Sequence, residues 1–207
     1  MGKLEGKVAI ITGAGRGLGK QVAIRFAEEG AKISICARSL DRLADTEEKC
    51  RQAGAEVFCY VCDVTKISDM EAYVAATAAH FGGIDILYNN AMATTCGRKP
   101  FESHTQEDFD AFYQSGLMGS FHMMRLCFPW LKKSGHGKVI CIGSGAGVEG
   151  TALRHMAQLR KQLAPWPEPP PESGANITSM SIPSTPALSQ IFTTKSWRSC
   201  PRKIAIP

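Results

Sequence analysis

Along this 207-residue chain, apolar residues follow two alternating patterns as far as about residue 142. Short runs dominated by apolar, often β-branched residues stand at Val8–Ile11, Ala31–Cys36, Glu56–Val61, Ile84–Tyr88 and Lys138–Ile142. Runs of this kind read as strands buried on both faces of a parallel sheet. Between them lie segments with helical spacing. Leu18, Val22, Ala23 and Phe26 share one face of the first. Asp41 is placed to cap a helix that runs to about Ala53 and stops at Gly54. Another helix starts near Ser68 and ends at Phe81-Gly82-Gly83, and a mostly helical stretch covers Phe101 to Leu131, with Pro129 near its end. Strand and helix in strict alternation predict an α/β domain.

From residue 154 this patterning ends. Pro165-Trp-Pro-Glu-Pro-Pro-Pro171 cannot continue a helix or enter a sheet. The segment beyond it is rich in Ser, Thr and Pro, as disordered segments are. The chain therefore divides into a domain at 1–153 and a Pro/Ser-rich tail at 154–207, expected to be disordered. Charge divides at the same place: residues 1–153 carry 17 Lys/Arg against 17 Asp/Glu, and residues 154–207 carry 7 against 2. The net charge of +5 thus resides in the tail. Without aromatic interleaving or an amphipathic period, that basic tail does not predict a nucleic-acid or membrane partner. No apolar run is long enough to span a membrane, and neither a signal-peptide core nor a myristoylation signal is expected at the N-terminus. Eight cysteines with no framework spacing suggest free thiols in a reducing cytosol, so a cytoplasmic protein is expected. Cys59-Tyr-Val-Cys62 is better explained by alternation along a strand than by metal or redox chemistry, and no metal site is expected.

The first strand leads into a turn that carries candidate chemistry. Thr12 is followed by Gly13, Gly15, Arg16, Gly17, Leu18 and Gly19, and a helix opens among them. Glycines admit a pyrophosphate close to the backbone, while free N–H groups and the helix dipole face its negative charge. A glycine repeat alone is weak; the strand before and the helix after supply the context that a phosphate cradle requires. The second strand ends in Ala37-Arg38-Ser39. A carboxylate there would bind a ribose hydroxyl and repel a 2′-phosphate. Arg38, helped by Arg16, is suited instead to that phosphate, which favours NADP(H) over NAD(H). The alternative is an ordinary solvated arginine.

The spacing Thr-Gly-x-x-x-Gly-x-Gly at Thr12, Gly13, Gly17 and Gly19 resembles the short-chain dehydrogenase/reductase family, and further motifs follow in the right order over about residues 4–153. The resemblance implies a Rossmann-like doubly wound parallel sheet with strand order 3-2-1-4-5, truncated here after the fifth strand. It places Asp63 and Val64 beside the adenine ring, although Asp63 could instead cap the following helix. It assigns Asn89, Asn90 and Ala91 to steadying the sheet and lining the cofactor site. It matches Ser144, within Gly143-Ser144-Gly145-Ala146-Gly147, to the serine that hydrogen-bonds the substrate carbonyl. The implied reaction moves a hydride between nicotinamide and a small-molecule carbonyl or alcohol.

Three departures stand against it. Met92 follows Asn89-Asn90-Ala91 where the family has glycine. Gly116 stands where the family has an asparagine that anchors a water of the proton relay. The family's proton-passing tyrosine belongs about thirteen residues after Ser144, but Ala157 is there, and no tyrosine follows Tyr113. Lys161 sits at the position of the partner lysine without a phenol beside it.

The genetic code offers a reason. Read from each third base, the degenerate codons of residues 155–160 permit Tyr-Gly-x-x-Lys, the family signature. From Pro165 to Pro186 the same frame permits MAGTTAREWGQHNINVNTIYPG, which contains Val-Asn-x-Ile-x-Pro-Gly, the family motif at the cofactor carboxamide. Two motifs in one frame, correctly ordered, point to a frameshift or aberrant splice near residue 154. Without later strands the fifth would be an open apolar edge, an invitation to aggregation. The lost helix normally pairs with the 101–131 helix in the family's homo-oligomers, which puts assembly of this chain in doubt.

Overall fold

The computed structural model of the protein describes residues 2–93 and 103–142, together with the backbone of 177–181. Five strands, β1 (Val8–Thr12), β2 (Lys32–Ala37), β3 (Val57–Val61), β4 (Ile86–Asn89) and β5 (Lys138–Ile142), pair in parallel in the order β3-β2-β1-β4-β5. The parallel part of the sheet ends at β5, as the sequence predicts. The outer edge of β5 is not bare, however. A sixth strand, β6 (Ile177–Ser181), pairs with it antiparallel, from Lys138 opposite Ser181 to Ile142 opposite Ile177. The expectation of an open edge is thus corrected: the unpaired N–H and C=O groups of β5 take a partner from the tail, and antiparallel pairing needs no crossover helix of its own.

Between the strands run α1 (Gly17–Glu28), α2 (Ala44–Gln52), α3 (Ile67–Phe81), α4 (Gln106–Phe112) and α5 (Gly119–Lys133). All five residues of β1 are buried because both faces of the sheet are covered. Successive residues of β1 enter opposite cores. Ile10 packs with Leu87, Met70, Tyr73, Met123 and Leu131 on the side of α3 and α5. Ile11 packs with Ala23, Ala27, Ile33, Ile35 and Tyr88 on the side of α1 and α2. The first core also encloses a polar cluster, in which Ser34 Oγ lies 3.0 Å from Tyr73 Oη and 2.8 Å from Thr77 Oγ1. These groups satisfy one another, which removes most of the cost of burying them.

Local expectations differ from the structure at three points. Asp41 does not cap the second helix: Leu40–Arg42 forms a single 3-10 turn, and α2 opens at Ala44 with no side-chain cap. Its anchor is tertiary, through Thr46 Oγ1 donating to Ala14 O at 2.9 Å. The stretch expected as one helix up to Leu131 is interrupted by a π-turn at Tyr113–Met118, and Pro129 lies inside α5, which continues to Lys133. Leu18 does not share the buried face of α1; it is 45% exposed, and the buried positions are Gly19, Ala23 and Ala27. The end of α3 is as expected, with Gly82 left-handed at φ 83° and its N–H returned to Ala78 O.

The start of α4 is closed by a capping box: Thr105 Oγ1 accepts from the Asp108 N–H at 3.3 Å, and the Thr105 N–H donates to Asp108 Oδ2 at 3.1 Å. Thr105→Ala is expected to cost about 1 kcal/mol. Thermal melting would show this as a fall in Tm of about 2–4 °C.

Candidate functional site

The site lies where the strand order reverses, beyond the carboxyl ends of β1 and β4, which is where open α/β sheets leave a crevice. Thr12, the last residue of β1, is buried, and its hydroxyl stitches the two strand ends together. Thr12 Oγ1 accepts the N–H groups of Asn90 and Ala91, each at 3.0 Å, and donates to Tyr88 O at 3.5 Å. Asn90 answers with its own side chain, Nδ2 donating to Thr12 O at 3.0 Å and to Gly13 O at 3.1 Å. Asn89 is buried and turns to the other side, where its Nδ2 lies 3.4 Å from Ser120 O and 3.7 Å from Cys141 Sγ.

This seam dictates where glycine is needed. Gly13 has φ 66°, and a Cβ there would stand 2.9 Å from Ala91 Cα. At Gly19 a Cβ would stand 2.5 Å from Asn90 Nδ2, so the first turn of α1 can lie against the seam only without a side chain. Gly15 backs on Arg42 O, and Gly17 opens α1 at φ 57°. Arg16 and Leu18 point outward beside them, exposed. No side chain caps the first turn of α1 and no acidic residue stands in it. A helix start with uncapped N–H groups, no carboxylate and a close-approach turn before it fits an anionic phosphate. Lys20, in the same turn of α1, is ion-paired with Asp45 of α2.

The other expected residues fall around the same rim. Arg38 follows β2 and is exposed, and Ser39 leads into the 3-10 turn in extended conformation. Asp63 folds a turn rather than capping α3, its Oδ1 accepting from Thr65 N at 3.0 Å and Thr65 Oγ1 at 2.8 Å, while its own N–H donates to Asp69 Oδ2. Val64 packs into the core, 8% exposed, with its carbonyl oxygen 2.8 Å from where a Cβ of Gly119 would be. Ser144 lies outside the described residues, as do Ala157 and Lys161.

Two of the three departures, Met92 and Gly116, lie together. A Cβ on Gly116, within the π-turn, would stand 3.4 Å from Met92 Cγ and 3.5 Å from Met92 Sδ. Beside it the Ala93 N–H donates to Ser115 Oγ at 2.8 Å, and Ser115 Oγ donates in turn to Ala111 O at 2.6 Å. Ser115 was not singled out from the sequence, where a serine mid-helix carries no distinguishing mark; only the π-turn brings it to the loop after β4.

Of the six described cysteines, all but the partly buried Cys59 are core residues. Burial pushes the Cys50 thiol up to about 11 and, with Glu47 beside it, the Cys59 thiol up to about 12. The Cys62 thiol, followed by desolvation, holds Cys36 well above the ordinary thiol range. Such groups stay protonated and unreactive at neutral pH. Among the described residues no three His, Cys, Asp or Glu side chains are grouped as metal ligands.

A doubly wound parallel sheet with a glycine turn at its switch point is the architecture on which dinucleotide-binding sites are built. Residues 7–156 match the short chain dehydrogenase family, and the chain belongs to it. It is 40% identical over 157 residues to a 12alpha-hydroxysteroid dehydrogenase of a Clostridium species, covering 72% of this chain and 60% of that protein. Among solved structures, a 7 alpha-hydroxysteroid dehydrogenase complexed with NADH and 7-oxo glycochenodeoxycholic acid superposes with TM-score 0.70 at 32% identity, over 77% of this chain and 62% of the other. An NAD+-bound xylitol dehydrogenase superposes with TM-score 0.73 at 30% identity, over 78% and 62%. The chain spans about three fifths of the length of the curated relatives it matches.

The Thr12 hydroxyl is expected to be the keystone of the seam. Thr12→Val leaves two backbone N–H groups without their acceptor and should cost about 2–4 kcal/mol, whereas Thr12→Ser keeps the hydroxyl and should lose far less. Urea unfolding of the two variants side by side measures the difference.

Proposed function

We propose that residues 1–153 are the cofactor half of an oxidoreductase which, in intact form, transfers a hydride between nicotinamide and a small-molecule carbonyl or alcohol. The observation that carries this reading is the Thr12–Asn90 seam holding an uncapped helix start behind a glycine turn. Gly13, Gly15, Gly17 and Gly19 with Arg16 and Leu18 would hold the pyrophosphate, Asp63 and Val64 the adenine, and Asn89, Asn90 and Ala91 the inner wall. The nicotinamide supplies the hydride chemistry when bound. Ser144 would hydrogen-bond the substrate carbonyl.

The cofactor we favour is NADP(H). The two solved relatives above carry NAD(H), but the β2 terminus of this chain offers Arg38 and Ser39, and a guanidinium there suits a 2′-phosphate. Fluorescence titration tests this directly: NADPH is expected to bind at least about tenfold tighter than NADH, a gap of about 1.4 kcal/mol. Arg38→Asp should abolish or invert the preference. Equal affinities for the two cofactors would refute it.

The chain itself has no phenol to pass the proton, since no tyrosine follows Tyr113. Weak cofactor binding and no turnover are therefore expected from the purified polypeptide on a panel of ketones and alcohols. Steady NADPH consumption would sink that expectation. A frameshift or aberrant splice near residue 154 accounts for the loss, and the end of the family match at residue 156 supports it. Genomic and transcript sequence across codons 150–165 should reveal a frame that encodes Tyr-Gly-x-x-Lys. An uninterrupted frame matching the present tail in related genes would end the idea.

A second reading is an inactive nucleotide-binding or subunit-pairing fragment. It is favoured by Phe109, Phe121 and Phe128, each more than 40% exposed on α4 and α5, the helices that pair in the family's homo-oligomers. The free thiols of the six described cysteines support a cytoplasmic setting for either.

A further inference from the structure

Met92 and Gly116 are separated by 24 positions, and each is anomalous for its family when taken alone. In the fold they meet. Among the described residues outside its own helix backbone and its chain neighbours, Met92 supplies the only atoms within 4 Å of where a Cβ of Gly116 would lie. At 3.4 and 3.5 Å those atoms are in ordinary van der Waals contact with that point, so an alanine fits and anything longer along that direction does not. One residue along on each segment, the Ala93 N–H donates to Ser115 Oγ at 2.8 Å, with Ser115 only 5% exposed. At its other end the same strap is fixed to β1, because Asn90 and Ala91 donate to Thr12 and Ala91 lies against Gly13. The strap is therefore held at both ends by hydrogen bonds, toward the glycine turn and toward the π-turn, and the Met92 thioether lies over the open side of Gly116.

We propose that Met92 and Gly116 form one packing lock, in which the Met92 side chain occupies the space a longer side chain at 116 would enter and so positions the Asn90–Ala93 strap against the glycine turn. The two departures are then a single compensated change. A methionine is suited to it, being unbranched and able to fill an irregular gap. The absence at 116 of any side chain longer than a methyl is a condition for its seat. Met92 is a positioning residue: it acts on the dinucleotide berth through Ala91 and Gly13. The lock rests on the dinucleotide reading only for that last step, since the packing itself is independent of any ligand.

A mutant cycle on the full chain tests both parts. Gly116→Ala should leave Tm unchanged or raise it, because the Cβ fits and alanine favours a helix. Gly116→Asn should lower Tm by displacing Met92, and Met92→Gly should lower it by emptying the space. The double variant Met92→Gly with Gly116→Asn should melt at least about 2 °C above the temperature expected from adding the two losses, since neighbours that share a space couple. Met92→Leu, which keeps the volume, should preserve both Tm and NADPH affinity. Gly116→Asn alone should weaken NADPH binding by about tenfold or more, and the double variant should recover most of it. Additive Tm losses, or Gly116→Asn behaving like Gly116→Ala, would overturn the lock. Coupled melts with unchanged NADPH affinity throughout would overturn its positioning role. If the unmutated chain binds no NADPH at all, the dinucleotide reading fails, and the melts alone decide the lock.

Discussion

The buried hydroxyl of Thr12 sets the terms for the rest of the site. It accepts two backbone N–H groups from the segment leaving β4 and returns its own proton toward Tyr88 O, while Asn90 closes the loop on the carbonyls of Thr12 and Gly13. Parallel strands cannot exchange hydrogen bonds beyond their last paired residues, so chain leaving the carboxyl ends carries orphan donors. Thr12 Oγ1 satisfies two of those donors, and Asn90 Nδ2, one residue past β4, donates to two carbonyls of the β1 end, which ties the ends of β1 and β4 into one floor. A crevice whose floor is preformed needs little reorganisation to receive a ligand.

The glycines are consequences of that floor. Gly13 and Gly19 are required because Ala91 and Asn90 already occupy the space a side chain would take. The helix they introduce has no side-chain cap and no acidic residue in its first turn, which leaves its first N–H groups without a side-chain partner. On either side of the sheet, alternate residues of β1 feed separate cores, so the floor is clamped from both faces. The seam and the glycine turn thus draw only on described residues from the β1 and β4 ends.

In the proposed reading, binding and proton transfer fall to different parts of the family's chain. The seam is assembled by closures near β1 and β4, whereas the family's phenol and lysine belong to sequence beyond β5. A change in the tail can therefore remove the acid–base group without disturbing the seam. The edge left at β5 nonetheless takes a partner, because an apolar strand with unpaired backbone groups recruits whatever extended segment can reach it. Ile177–Ser181 fills that role in the direction opposite to the other five strands.

The sequence alone was enough for the five parallel strands, their order, the glycine turn and the residues at its rim. The strands follow from local periodicity and the turn from a contiguous motif whose spacing is tied to backbone geometry, while the strand order and the roles at the rim came with the family resemblance that the motif carries. It also disclosed the missing tyrosine, since absence can be read directly from the text. Four features were decided only by the tertiary structure: the anchoring of α2 through Thr46, the π-turn at Tyr113–Met118, the antiparallel sixth strand and the meeting of Met92 with Gly116. These depend on contacts between segments far apart in the chain. Whether a threonine caps its own helix or reaches a distant carbonyl, and whether a glycine is a gap or a seat, is fixed by what packs opposite it.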